Sequence, residues 1–185
     1  MAKRIALYSI STSASKYKKT IIPLFSFNAD FYIRLFLVVK DSAEECKNMA
    51  LRHGYMLHCR NCQNRIITPL AHMEEKQKRD RTITKFKFNN ITGTGQCDVC
   101  DSSMCLNGPF WIDSMYDEKL LDTLINELNS EKYQYLKYNK RILSFITNIK
   151  EEYKLKDHIF SYDYSRLCME ITLSAPKLSI IKYID

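Results

Sequence analysis

The chain is poor in glycine and proline, with four of each in 185 residues, and it has a single tryptophan. Gly54, Gly93, Gly95 and Gly108 do not cluster, which excludes a phosphate-cradling loop of the G-x-G-x-x-G or G-x-x-x-x-G-K type. Long hydrophobic runs are also missing. The best candidates, residues 21–27 and 33–39, are broken by Pro23, Ser26 and Arg34 and fall well short of the ~20 residues that span a membrane. Residues 1–19 lack a continuous apolar stretch and a small-residue cleavage site, so they read as an amphipathic helix and not as a secretory signal. A reducing compartment follows (nucleus, cytoplasm or mitochondrion), in which the seven cysteines stay reduced. What is present is 45% hydrophobic and 12% aromatic residues without repeats or low-complexity tracts, enough for a true core in one large domain or two small ones.

The net charge of +7 is unevenly spread. Residues 1–40 hold seven bases and one acid, 41–75 four and five, 76–100 six and two, and 101–185 eleven and thirteen. An electrostatic partner responds to local density, so the first half and the segment 76–100 are the places to look for one.

Hydrophobic periodicity predicts a helix over 2–17 with an apolar face of Ile5, Tyr8, Ile10 and Ala14, then two strands over 21–27 and 31–39 joined by a turn at 28–30. Both faces of the second strand are apolar, which predicts burial between two layers. Arg34 is its exception and reads equally as an ion pair with Asp30 or as a phosphate contact. Ser42 and Glu45 form a capping box at the start of the next helix, whose stripe is Cys46, Met49, Ala50 and His53 and whose C-cap is Gly54. Cys46 and His53 therefore read as packing residues. Asp117 caps a helix with the face Leu120, Leu121, Leu124, Ile125 and Leu128, and a second helix carries Ile142, Phe145, Ile146, Ile149 and Tyr153. The last stretch, 162–185, reads as two short helices around Ser174-Ala175-Pro176, a helix-turn-helix-like pattern that stops inside its second helix, as an artificial end would.

Cys59-x2-Cys62 and Cys97-x2-Cys100 carry the strongest chemical signal. Two C-x2-C knuckles can complete a tetrahedral S4 zinc site with ~2.3 Å bonds, and such a site has no open position for catalysis. Strand-like segments at 55–58 and 65–68 around the first knuckle, and 86–88 and 104–106 around the second, predict a zinc ribbon of two hairpins. A redox dithiol would need only one C-x-x-C, and the compartment disfavours disulfides. Glycine often follows the second cysteine of a knuckle to allow φ > 0. Gln63 and Asp101 stand there instead, so Asn64 or a wider turn is expected to do that work. Cys105 and His58 are substitute ligands on proximity alone.

Between the knuckles, Lys76, Lys78, Arg79, Arg81, Lys85 and Lys87 accompany Phe86 and Phe88, a composition that fits a phosphate-contacting arm or a loop with no partner. The four histidines fall in unrelated contexts, and no nucleophile, acid or base constellation stands out.

With these segments placed, the sequence resembles the tRNA (guanine(26)-N2)-dimethyltransferase family, specifically its C-terminal part. The residues that carry the likeness are MAKRIAL, SASKYKKTIIPLFSFNADFYIRLFLVVKDSAEE, the two knuckles, LNGPFW with Asp117 shortly after, and the closing YDYSRLCMEITLSAPKLSIIKYI. Family members usually carry glycine after each knuckle and two residues beyond the GPFW tryptophan, where this chain has Gln63, Asp101 and Asp113.

The resemblance implies an S-adenosylmethionine-dependent parent enzyme that dimethylates one guanosine of tRNA, with its cofactor held by an upstream Rossmann-like domain of the same polypeptide. Met1 would then be an internal position. The expected fold is α+β: an antiparallel or mixed sheet with packed helices, a four-cysteine zinc-ribbon-like insertion and a helix-turn-helix-like C-terminal part. Residues 1–30 would be the last helix and hairpin of the catalytic domain. Residues 31–185 would be a tRNA-binding domain with its ribbon over 55–106 and its helical part over 117–185. The expected zinc ligands are Cys59, Cys62, Cys97 and Cys100. The expected tRNA contacts are Arg34, Arg60, Arg65, Lys85 and Lys87, and no catalytic or cofactor-binding residue is expected in this chain. The competing expectation is a non-enzymatic zinc-ribbon adaptor that binds protein through its helical half.

Overall fold

The computed structural model describes residues 1–29, 31–78, 81–90, 95–155, 158–160, 165, 168, 169 and 174. The chain divides into two compact units, Met1–Lys154 and Leu155–Asp185. In the second, the His158 N–H donates to the Leu155 carbonyl at 2.9 Å. The turn residue Asp30, Arg79 and, apart from isolated positions, the helix-turn-helix-like stretch lie outside the described residues.

The first unit begins with α1 (Ala2–Ser15), followed by the antiparallel hairpin β1 (Lys19–Ala29) and β2 (Tyr32–Asp41). The helix buries a different face from the one its apolar residues suggest: Arg4, Leu7 and Ser11 are inside, while Ile5 and Ile10 are exposed. The reason is polar. The Arg4 guanidinium donates to the carbonyls of Trp111 and Asp113, each at 3.0 Å, and Ser11 Oγ lies 2.6 Å from His53 Nε2. These bonds satisfy buried carbonyls and a buried ring nitrogen, which orients the helix more firmly than two isoleucines could.

Leu7 joins Ile21, Met49, Trp111 and Met115 in one cluster, against which Leu35 and Leu37 of β2 pack. The other side of the hairpin brings Phe25 and Phe27 to a second cluster of Leu121, Ile146 and Ile149, with the Phe27 ring edge-on to Phe145 at 4.9 Å. Layers therefore lie on both sides of the hairpin, yet β2 is not the buried strand its composition predicts. It is the edge of a two-stranded sheet, with Tyr32, Ile33, Val38 and Val39 open to solvent.

Ser42 caps the short α2 (Ala43–Asn48) by accepting from the Glu45 N–H at 3.2 Å. Only this half of the capping box forms, because the Glu45 carboxylate pairs with Arg52 at 3.2 Å and the Ser42 N–H donates to the Lys18 carbonyl. A 3-10 turn over Met49–Arg52 leads into β3 (His53–Cys59), so Gly54 is a strand residue and not a C-cap. A Cβ at Gly54 would sit 2.8 Å from the Thr68 carbonyl oxygen and from Ile112 Cγ2, so close backbone approach is what requires glycine here.

Strand β3 is the centre of a three-stranded antiparallel sheet, flanked by β4 (Arg65–Pro69) and β7 (Met104–Trp111). Strands β5 (Ala71–Lys78) and β6 (Arg81–Phe88) form a separate hairpin. This corrects the two-hairpin ribbon read from the sequence: residues 86–88 pair with β5, and residues 104–106 pair with β3. The second knuckle opens directly into β7, so the nearest free strand edge is that of β3, with Cys59 opposite Met104. Then α3 (Glu118–Asn129), capped by Asp117 accepting from the Leu120 N–H at 3.1 Å, packs through Leu121 on α4 (Asn139–Lys154). No helix among the described residues is long and apolar enough to cross a membrane.

Candidate metal centre and basic surfaces

The two knuckles have the same backbone geometry. In each, the N–H of the first cysteine donates to the carbonyl five residues on: Cys59 to Asn64 at 2.9 Å, and Cys97 to Ser102 at 2.8 Å. In each, the residue directly after the second cysteine turns left-handed, Gln63 with φ 61° and Asp101 with φ 56°. The conformation that glycine would take is therefore adopted by these two residues themselves, and neither Asn64 nor a widened turn substitutes. Asp tolerates that region because its short polar side chain bonds locally. Gln63 is braced by its own amide, which donates to the Arg60 carbonyl at 3.3 Å, while its side-chain oxygen lies 3.1 Å from His58 Nε2. Asn64 has another use: its amide donates to Asp98 Oδ1 at 2.7 Å, fastening one knuckle to the other.

This geometry gathers Cys59, Cys62, Cys97 and Cys100 so that all four sulfurs lie within 4.8 Å of one another. Cys59 and Cys100 are 3.5 Å apart, as are Cys62 and Cys97. That is far beyond a disulfide bond of ~2.0 Å and close to the ~3.8 Å edge of a tetrahedron with 2.3 Å metal–sulfur bonds. The donor set fits a closed tetrahedral site for a thiophilic divalent cation. His58 and Cys105 face each other in the β3–β7 register and are not among the four.

The thiols do not titrate alike. Hydrogen bonds from the Ser102 side chain and backbone hold Cys100 down to about 5. Cys97 is also lowered: burial opposes its thiolate, but the backbone N–H groups of Val99 and Cys100 and the Asn64 amide outweigh it. Cys62 is pushed up to about 12; the Asn64 N–H favours its thiolate, but burial and the surrounding Cys100, Cys97 and Cys59 prevail. Four negative sulfurs cannot stand side by side without a cation among them.

The five basic residues singled out from the sequence do not share one element. Arg34 lies exposed on β2 with its guanidinium 5.3 Å from the Tyr32 ring centroid. Arg60 is at the tip of the first knuckle and Arg65 opens β4, opposite His58. Lys85 is exposed on β6, and Lys87 on the same strand is ion-paired with Glu74. The segment 132–141, KYQYLKYNKR, is a further basic surface outside those five residues. It holds four bases, three tyrosines and no acid, a signal averaged away when residues 101–185 are summed as one block.

The molecule so defined is a mixed α/β chain of small antiparallel sheets, braced by helices and tied at a four-cysteine node. The chain belongs to the N2,N2-dimethylguanosine tRNA methyltransferase family, whose model matches residues 1–184. It is 29% identical over 182 residues to tRNA (guanine(26)-N(2))-dimethyltransferase 2 of Arabidopsis thaliana, covering 98% of this chain and 30% of the relative. It is 28% identical over 183 residues to the mitochondrial tRNA (guanine(26)-N(2))-dimethyltransferase of Saccharomyces cerevisiae, covering 96% of this chain and 32% of the relative. The chain thus spans about a third of the length of these relatives. Among solved structures, Trm1 from Pyrococcus horikoshii in complex with S-adenosyl-L-methionine matches with a TM-score of 0.53 at 19% identity, over 80% of this chain and 32% of that one, a likeness of fold.

Proposed function

We propose that this chain is the C-terminal tRNA-recognition region of an S-adenosylmethionine-dependent tRNA methyltransferase that N2-dimethylates guanosine 26, and that it is catalytically silent alone. The observation that carries this reading is the cysteine node within a chain that matches the family from end to end. A closed S4 site stabilises a fold and leaves no coordination position for chemistry. Cys59, Cys62, Cys97 and Cys100 would hold a zinc ion, which supplies cross-linking of the knuckles and neutralises their thiolates.

Among the described residues, Gly54, Gly95 and Gly108 do not build the glycine-rich turn of an open α/β cofactor site. A cofactor cradle of the dinucleotide type needs glycines in a turn at a helix start. Here Gly54 is packed against the Thr68 carbonyl, Gly108 lies against the Gly54 carbonyl, and the Gly95 carbonyl accepts from Met104 beside the knuckle. On this reading the cofactor site belongs to another part of the polypeptide and residues 31–185 are the tRNA-binding part; residues 1–30 supply only α1 and β1, and the hairpin that follows α1 takes its second strand, β2, from beyond that boundary. Arg34, Arg60, Arg65 and Lys85 serve as phosphate contacts, and Lys87 does so only by releasing Glu74. A reducing compartment suits the thiolates.

The test is direct. The purified, zinc-loaded chain mixed with an unmodified tRNA transcript and labelled S-adenosylmethionine is expected to retard the tRNA in a gel and to transfer no methyl group. Label in the RNA would refute the silent reading, and absence of retardation would refute tRNA recognition.

A further inference from the structure

The connection between α3 and α4 is built, not slack. Asn139 at the start of α4 donates through its side-chain amide to the carbonyls of Leu128 and Tyr133, at 3.0 and 2.8 Å. Between them, Leu136 donates to Tyr133 and Asn139 to Leu136 through their backbones. This scaffold surrounds a hollow of about 560 Å³, lined by Asn129, Gln134, Lys137, Tyr138, Lys140 and Arg141 among others. Lys137, Lys140 and Arg141 are all exposed, and none has a carboxylate partner among the described residues. Lys132 differs, because Tyr133 and Glu127 already stabilise its charge. Tyr138 is 59% exposed with the Lys137 ammonium 5.5 Å from its ring centroid, and Tyr135, three residues earlier in the chain, is 77% exposed.

Unpaired cations beside exposed aromatic rings and amides are the chemistry that grips single-stranded nucleic acid: cations take the phosphates and rings stack on bases. We infer that this hollow is a second RNA-binding surface, where Lys137, Lys140 and Arg141 hold the backbone of an unpaired stretch of tRNA and Tyr138 stacks on one of its bases. The inference rests on the tRNA-recognition reading and names a surface that reading does not contain.

The test measures affinity for an unmodified tRNA transcript over a range of potassium chloride concentrations, in the zinc-loaded chain and in variants whose melting temperature matches it. K137A/K140A/R141A is expected to flatten the slope of log affinity against log salt by about 2, the loss of three phosphate contacts. Tyr138→Ala is expected to weaken binding roughly tenfold without changing the slope, and Tyr138→Phe to restore it. A wild-type chain that binds steeply while the triple variant keeps the same slope overturns this inference alone. A wild-type chain that does not bind tRNA overturns the underlying reading as well. Poly-glutamate competing as well as tRNA, with the same variants sensitive, would overturn it in favour of an acidic protein partner.

Discussion

The sulfur of Cys59, at the end of a central strand, lies 3.5 Å from that of Cys100, 41 residues further on. Cys62 and Cys97 meet at the same distance and the Asn64–Asp98 bond lies alongside, whereas the β5–β6 hairpin that leaves between the knuckles forms a sheet of its own. A metal at this point contributes folding free energy in proportion to its affinity. About one zinc per chain is expected by elemental analysis, and Cys59→Ser or Cys100→Ser should lose it together with several degrees of melting temperature. Chelation of the wild-type protein should give the same lowered transition, reversed by added zinc.

Left-handed Gln63 and Asp101 yield a second prediction. Glycine at either position removes backbone strain while loosening the unfolded chain, so Asp101→Gly should leave stability within ~0.5 kcal/mol. Asp101→Val forces a β-branched residue into that region and should cost ~1–2 kcal/mol with weaker metal retention, as measured by chemical denaturation and a zinc-release dye.

Patterns that are local in the sequence are legible in it, and those that depend on remote partners are not. Cysteine spacing and the Leu121 and Ile146 stripes are local patterns that backbone geometry converts directly into a node and a helix pair. Strand pairing is not local: residues 86–88 and 104–106 flank one knuckle, yet their partners are chosen by which edges stand free. The inward face of α1 was hidden because Arg4 and Ser11 are buried by hydrogen bonds that periodicity does not register. The basic, tyrosine-rich connection at 132–141 stands out only over a window of its own length, because the acids elsewhere in 101–185 offset its charge.

Burial lowers the pKa of His53 from 6.5 to about 4, with the Arg52 charge adding to the effect, and its Nε2 meets Ser11. The folded state holds the neutral ring, while the unfolded chain takes up a proton below about 6.5. The stabilisation is therefore complete above that pH and is lost progressively as pH falls toward 4. Melting temperature should drop over this window, and Ser11→Ala should cost ~1–3 kcal/mol at pH 7 by leaving the ring nitrogen without its partner.

The Thr68 carbonyl limits residue 54. Gly54→Ala places a Cβ at 2.8 Å from that oxygen, which must move with its strand. A loss of ~1–3 kcal/mol is expected in a denaturant titration, along with faster amide exchange in β4, because β3 and β4 can no longer close at that pair.

The zinc-tied chain is proposed to grip tRNA through its phosphates. This is tested most directly by titrating an unmodified tRNA transcript into the zinc-loaded protein at 50 and 200 mM salt. Arg34, Arg60, Arg65 and Lys85 alone predict an affinity lower by about a hundredfold at the higher salt, and the three further contacts at the α3–α4 connection raise this to about a thousandfold. Affinity that stays level between the two concentrations, or no binding at either, would contradict the account.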